Sequence, residues 1–289
     1  MQPSTLASPP AMSLGVKYAV GVLFGIPWII FGIQHYMYAD FVSTLVPAYM
    51  PWRLFWAYFT GTAMLAAGVS FIIRWEVQLA AFLLGCLMLL YLLMVHPPLL
   101  TKEPQVGQHW TRFMQDIAIM SAAFALAIVS GPRLIIAKNW GPDAAGLRGW
   151  RAWLASPRAR VIVRYCYALP FIVLGAQHFT HNAFVTAKVP DWAPFPHFWD
   201  YIIGLALIAA SYGILFAPNQ RRATNLGKPV FWTSRWTAST LGIILTVLAL
   251  LQHVPHMVTD PHNPGTWTGS MLDIALAAGA FILSALWEK

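Results

Sequence analysis

The chain has 289 residues, of which 58% are hydrophobic and only 10% charged, and its mean hydropathy is +0.60. An ordinary soluble domain carries about a quarter charged residues, so this composition excludes a soluble globular enzyme and places the chain in a bilayer. The formal net charge of +8 is then read from its position along the membrane spans, not as a nucleic-acid footprint.

Residues 1–16 are polar and contain Pro and Ser, without the basic stretch of a cleaved signal peptide. They predict a flexible cytoplasmic N-terminus, followed by a first helix that acts as its own uncleaved signal. Eight apolar runs follow, at about 18–37, 54–73, 77–95, 111–130, 161–178, 198–217, 237–252 and 268–286. Each supplies roughly the ~20 residues a spanning helix needs. The runs are continuous and do not alternate polar with apolar, so they predict helices and not a barrel.

Basic residues sort by helix end. Lys17, Arg74, the stretch 133–164, Arg221, Arg222, Lys228, Arg235 and Lys289 fall on one side, and Arg53, Lys102, Arg112 and Lys188 on the other. The positive-inside rule puts both termini and the 133–160 linker in the cytoplasm, as for a bacterial inner membrane protein. Attraction to anionic membrane lipids follows. Cys86 and Cys166 read as packing residues, since no C-x-x-C pairing exists.

One segment occurs twice. Residues 27–61 (PWIIFGIQHYMYADFVSTLVPAYMPWRLFWAYFTG) recur 143 positions later as 170–204 (PFIVLGAQHFTHNAFVTAKVPDWAPFPHFWDYIIG). Pro27, Gly32, Gln34, His35, Phe41, Val46, Pro47, Pro51 and Trp56 match Pro170, Gly175, Gln177, His178, Phe184, Val189, Pro190, Pro194 and Trp199. At an offset of 157, His96, Pro98, Pro104, Trp110, Met114 and Asp116 match His253, Pro255, Pro261, Trp267, Met271 and Asp273. The chain is therefore a tandem duplication, with a first four-helix unit at 17–132 and a second at 161–289. Each half has an even number of helices. The expected fold is all-α, with eight transmembrane helices in two parallel four-helix bundles related by a pseudo-two-fold axis along the membrane normal.

Histidine distributes opposite to arginine. His35, His96, His109, His178, His181, His197, His253, His256 and His262 all fall at the outer helix ends or in the outer loops. Up-down order brings His35, His96 and Asp116 to one level, flanked by Gln34 and Trp110. The second half does the same with His178, His253, Asp273, Gln177 and Trp267. With a helix starting near Thr111, Asp116 would lie ~7 Å below the outer surface. Helix-dipole complementarity accounts for a His at a helix C-terminus, but not for an acid beyond the first helical turn. An intramembrane acid is expensive without a partner, so an Asp neutralised or paired with His is expected.

The outer loops at 46–52 and 189–196 are rich in Pro and aromatic residues, as an interfacial belt or as a lid over an apolar ligand. Small residues at Gly61, Ala66, Ala67 and Gly68, echoed by Gly204, Ala209, Ala210 and Gly213, predict close helix packing. No Walker motif, dinucleotide fingerprint, haem-attachment C-x-x-C-H or H-E-x-x-H zinc site occurs.

A first helix ending in G-x-Q-H, a loop Phe, a V-P turn, an aromatic start to helix two with a Gly, and a small-residue patch resemble the DoxX/DoxD-like membrane proteins. The matching positions are Gly32, His35, Pro47, Trp56, Gly61 and Gly68, then Gly175, His178, Pro190, Trp199, Gly204 and Gly213. That family is built of four-helix units and includes the membrane subunit of thiosulfate:quinone oxidoreductase. Two such units look fused here.

Three readings follow. The resemblance implies an integral membrane oxidoreductase subunit that exchanges electrons and protons with quinone or quinol at the outer, periplasmic leaflet, in sulfur-compound oxidation, with a partner subunit. His35, His96, Asp116, His178, His253 and Asp273 would then act on the quinone, with Gln34, Trp110, Gln177 and Trp267 binding it. The same histidines could instead ligate haem or copper, although no matched pair is spaced i, i+3 or i, i+4. A non-enzymatic transporter, lipid-binding protein or scaffold is the third reading.

Overall fold

The computed structural model describes residues 14–131, 149–180, 194–218, 223, 225–226 and 233–287. The expected N-terminal segment to residue 13, the first part of the linker, His181 and the loop through 193 lie outside the described residues. The helices are α1 (Leu14–Met37), α2 (Ala39–Leu45), α3 (Arg53–Ile73), α4 (Val77–Met94), α5 (His96–Lys102) and α6 (Gly107–Ser130). The second half contributes α7 (Trp150–Ala155), α8 (Pro157–Thr180), α9 (Pro196–Phe216), α10 (Ser234–Leu248), α11 (Val254–Thr259) and α12 (Pro264–Ala285). A π turn, Ala249–His253, joins α10 to α11. No strand occurs among the described residues.

Among the described residues, eight segments are long and apolar enough to cross a membrane: Tyr18–Met37 in α1, α3, Val77–Lys102 through α4 and α5, α6, α8, α9, Ser234–Thr259 through α10 and α11, and α12. The protein is thus an all-helical polytopic membrane protein. Leu83, Leu93, Ile243 and Leu250 are exposed on the outer surface of the bundle, as lipid-facing side chains would be.

Antiparallel neighbours pack within each half, α1 on α3, α4 on α6, α8 on α9 and α10 on α12. The halves also interlock. The first helix of each half packs on the last helix of the other, α1 on α12 and α8 on α6, while α6 and α12 meet at the centre. Alanine makes this centre possible: Ala118, Ala122, Ala123, Ala275, Ala277 and Ala278 are buried in α6 and α12. Small side chains let backbones approach where lipid offers no hydrophobic drive to associate. A Cβ on Gly279 would lie 2.7 Å from the Cβ of Ala122, and these two positions are equivalent under the 157-residue offset.

The repeated glycines set the crossing of α1 on α3 and of α8 on α9. A Cβ on Gly32 would stand 2.8 Å from the Gly61 carbonyl oxygen, and one on Gly175 would stand 2.7 Å from that of Gly204. Gly61 and Gly204 in turn face the Cβ atoms of His35 and His178, which a new Cβ would approach to 2.6 Å and 2.7 Å. The glycine of helix two therefore makes room for the histidine of helix one. The expected echo of Gly68 in Gly213 is corrected. Gly68 meets Gly25, and the positions equivalent to these are Ser211 and Ala168, where Ser211 Oγ donates to the Ala168 carbonyl at 2.7 Å. Gly213 instead abuts Thr237 of α10.

The described end of the basic linker is folded. Trp150 stacks on Phe82 at 4.5 Å, Leu154 is buried, and Ser156 caps α8 by accepting the Ala159 amide at 3.1 Å. At the same end Arg164 donates to the carbonyls of Ile214 at 2.6 Å and Leu215 at 2.5 Å, which the helix C-terminus of α9 leaves without amide partners.

Candidate functional site

Proline fixes where the histidines stand. Pro97, Pro98 and Pro255 have no N–H to donate and their rings crowd the carbonyl four residues earlier, so the α-helical ladder breaks beside His96 and His253. In the first half α4 ends and α5 begins at His96; in the second a π turn ends at His253. Such π turns concentrate at functional sites.

Each break aims an imidazole at the acid of the following spanning helix. His96 Nε2 lies 2.7 Å from Asp116 Oδ2, and His253 Nε2 lies 2.7 Å from Asp273 Oδ2. These are the His and Asp that helix order places at one level. Their depth differs from expectation, because α6 starts at Gly107 and not near Thr111. Asp116 is the tenth residue of its helix, about 13 Å from the helix start at 1.5 Å per residue. Asp273 occupies the same place in α12.

The other repeated histidines diverge. His35 Nδ1 contacts the Phe31 carbonyl at 2.7 Å, and a carbonyl only accepts, so Nδ1 carries the proton and Nε2 accepts from the Tyr91 hydroxyl at 3.4 Å. Tyr91 also lies beside Thr60 and in the field of Asp116. His178 Nδ1 instead donates to Asp200 Oδ1 at 2.5 Å, and Asp200 is fully buried. The first half has Ala57 where Asp200 falls, and the second has Leu248 where Tyr91 falls.

The glutamines bridge the halves. Gln34 donates to the Pro264 carbonyl at 3.0 Å and accepts from Thr268 at 3.1 Å. Gln177 accepts from Thr111 at 2.8 Å and donates to the Gly107 carbonyl at 3.4 Å. Trp110 and Trp267 tie down their own loops, donating to the Pro104 and Pro261 carbonyls, each at 2.9 Å.

A cavity of about 170 Å³ opens between α6, α8, α9, α10 and α12. Arg112, Gln115, Gln177, His178, His253 and Asp273 form its polar side; Phe171, Leu174, Leu207, Leu245 and Leu276 form its apolar side. The size is comparable to the ~150 Å³ cavities that hold a benzene ring. Trp110, Trp267, His35, His96 and Asp116 are not among its lining residues. The cavity therefore lies mainly in the second half, with Gln108, Thr111, Arg112 and Gln115 of α6 contributed by the first.

Arg112 stands one turn before Asp116 and is attracted by both Asp116 and Asp273. Its equivalent is Gly269, which leaves room beside the His253 ring. Sequence reasoning counted Arg112 only as a topology marker and passed over Asp200 and Tyr91. The available signal for Asp200 was a carboxylate inside the apolar run FWDYIIG. Among the described residues no three His, Cys, Asp or Glu side chains converge as a metal-ligand group.

Compared with known proteins, the chain matches no protein-family model, no curated protein and no solved structure.

Proposed function

We propose that this protein binds the head group of a quinone or quinol in the second-half cavity and exchanges protons with it, as the membrane subunit of a quinone-linked oxidoreductase. The observation that carries the reading is a pair of imidazoles at one ring-sized cavity, each backed by a carboxylate. His253 directs Nε2 to Asp273, which leaves Nδ1 to meet a ligand oxygen; His178 directs Nδ1 to Asp200, which leaves Nε2. A carboxylate behind an imidazole fixes its tautomer and stabilises the imidazolium, so each is a base for one hydroxyl proton. Quinol oxidation releases two protons and two electrons. The two imidazoles take the protons, and a partner subunit takes the electrons; reduction runs the reverse way.

The apolar wall from Phe171 to Leu276 suits a ring, and the resemblance to the DoxX/DoxD-like proteins points to the same chemistry. In this reading the histidine-bearing end is the periplasmic side of a bacterial inner membrane, with both termini cytoplasmic. The first-half residues His35, Tyr91, Asp116 and His96 then serve as a proton path and not a second binding site.

Titration of the purified chain with a short-tailed quinone, followed by tryptophan fluorescence, tests the reading. Saturable quenching is expected in the wild type and its loss in Leu207→Trp, which fills the cavity. Unsaturable quenching, identical in both, leaves the proposal without a site and favours a scaffold or transporter.

A further inference from the structure

We infer that Arg112 makes this cavity selective for a ligand that presents one ionised oxygen, the monoanion of a hydroxylated ring, over its neutral counterpart. The inference rests on the ring-binding reading above and adds the charge of the bound form.

Arg112 lines the cavity, yet its guanidinium makes no hydrogen bond and no ion pair with any described residue. An arginine carries five N–H donors and never loses its proton in a protein, so a guanidinium inside a membrane bundle calls for acceptors. The two acids that attract it do not supply them. Asp116 Oδ2 is held by His96 and Asp273 Oδ2 by His253, each at 2.7 Å. Those carboxylates balance part of the charge at longer range and leave the donors unused.

The donors therefore meet whatever enters the cavity. An anionic oxygen satisfies them best, since charge-assisted bonds are roughly twice as strong as neutral ones and the apolar wall keeps competing water low. The volume limits the ligand to about one ring. The arrangement is also single: Gly269 offers no cation at the equivalent place, so one anion is accommodated and not two.

Two probes of one skeleton test this. 2-Hydroxy-1,4-benzoquinone is ionised at neutral pH; 2-methoxy-1,4-benzoquinone has the same single ring with that oxygen capped. Equilibrium binding of both to the full chain in mild detergent is expected to favour the hydroxy compound by roughly tenfold to a hundredfold. Arg112→Gln abolishes the preference for the hydroxy compound, and Arg112→Lys keeps part of it. The wild-type comparison stands without any variant. Equal affinities in the wild type overturn the role of Arg112 and leave the ring site intact, whereas no saturable binding of either probe overturns both.

Discussion

Thr111 on α6 donates to Gln177 on α8 at 2.8 Å, so the last helix of the first half is fastened to the first helix of the second. Thr268 on α12 does the same to Gln34 on α1 at 3.1 Å, across the opposite seam. The glutamines of the repeated Q-H motif are thus seam residues. Cross-helix hydrogen bonds in membranes contribute about 0.6 kcal/mol each, and each glutamine makes two. Gln34→Leu and Gln177→Leu should each cost about 1 kcal/mol and lower the melting temperature in detergent by about 2–4 °C. Because the seams are separate, the double variant should lose the sum. A double variant as stable as the wild type would falsify the seam role.

Gly204, at the crossing of α8 and α9, should be far less tolerant of a side chain than Gly21 of α1. Gly204→Ala sets a methyl 2.8 Å from the Gly175 carbonyl and 2.7 Å from the His178 Cβ, where backbone cannot yield cheaply. Overpacking of this kind costs about 1–3 kcal/mol, and it shifts His178 away from the cavity. Gly21→Ala, whose new methyl finds only ordinary contact at 3.6 Å, is the control and should be neutral or slightly stabilising. Thermal unfolding and quinone affinity read both effects; equal behaviour of the two variants counts against the packing role.

The eight spans were legible because bilayer hydrocarbon imposes a length and an apolar composition on each. The His–Asp pairs were legible too, since helix order and the repeat put His96 with Asp116 and His253 with Asp273. What escaped lies where the halves differ. Asp200 faces Ala57, Arg112 faces Gly269 and Tyr91 faces Leu248 across the repeat, so a search for what recurs passes over them. The glutamines recur, but their partners lie on the other half, and that seam exists only in three dimensions.

Divergence between His35 and His178 predicts unequal costs for removing their partners. Asp200 is fully buried and bonded at 2.5 Å, whereas the Tyr91 hydroxyl stands 3.4 Å from His35. Asp200→Ala leaves a buried imidazole donor unmet, at a cost of about 1–3 kcal/mol, and abolishes the basic orientation of His178. Tyr91→Phe should cost under about 1 kcal/mol and leave quinone affinity unchanged. Chemical denaturation alongside ligand titration checks both, and a larger loss of affinity in Tyr91→Phe would reverse the assignment of roles.

The two His–Asp pairs related by the 157-residue offset share one geometry but only His253–Asp273 lines the cavity, so matched variants separate stability from binding. His96→Ala and His253→Ala each strand a carboxylate inside the bundle, and breaking a buried pair costs about 3–5 kcal/mol. Asp116→Asn and Asp273→Asn keep a side chain able to accept from the imidazole, so the loss should be nearer 1 kcal/mol for both. Binding should divide them. Asp273→Asn removes the charge behind His253 at the cavity wall and should weaken quinol affinity roughly tenfold. Asp116→Asn, one helix turn from Arg112 and outside the cavity, should leave affinity within about twofold and act on proton exchange alone. Equal losses of affinity in the two variants would mean that both halves bind ligand, and the division of labour between them would have to be abandoned.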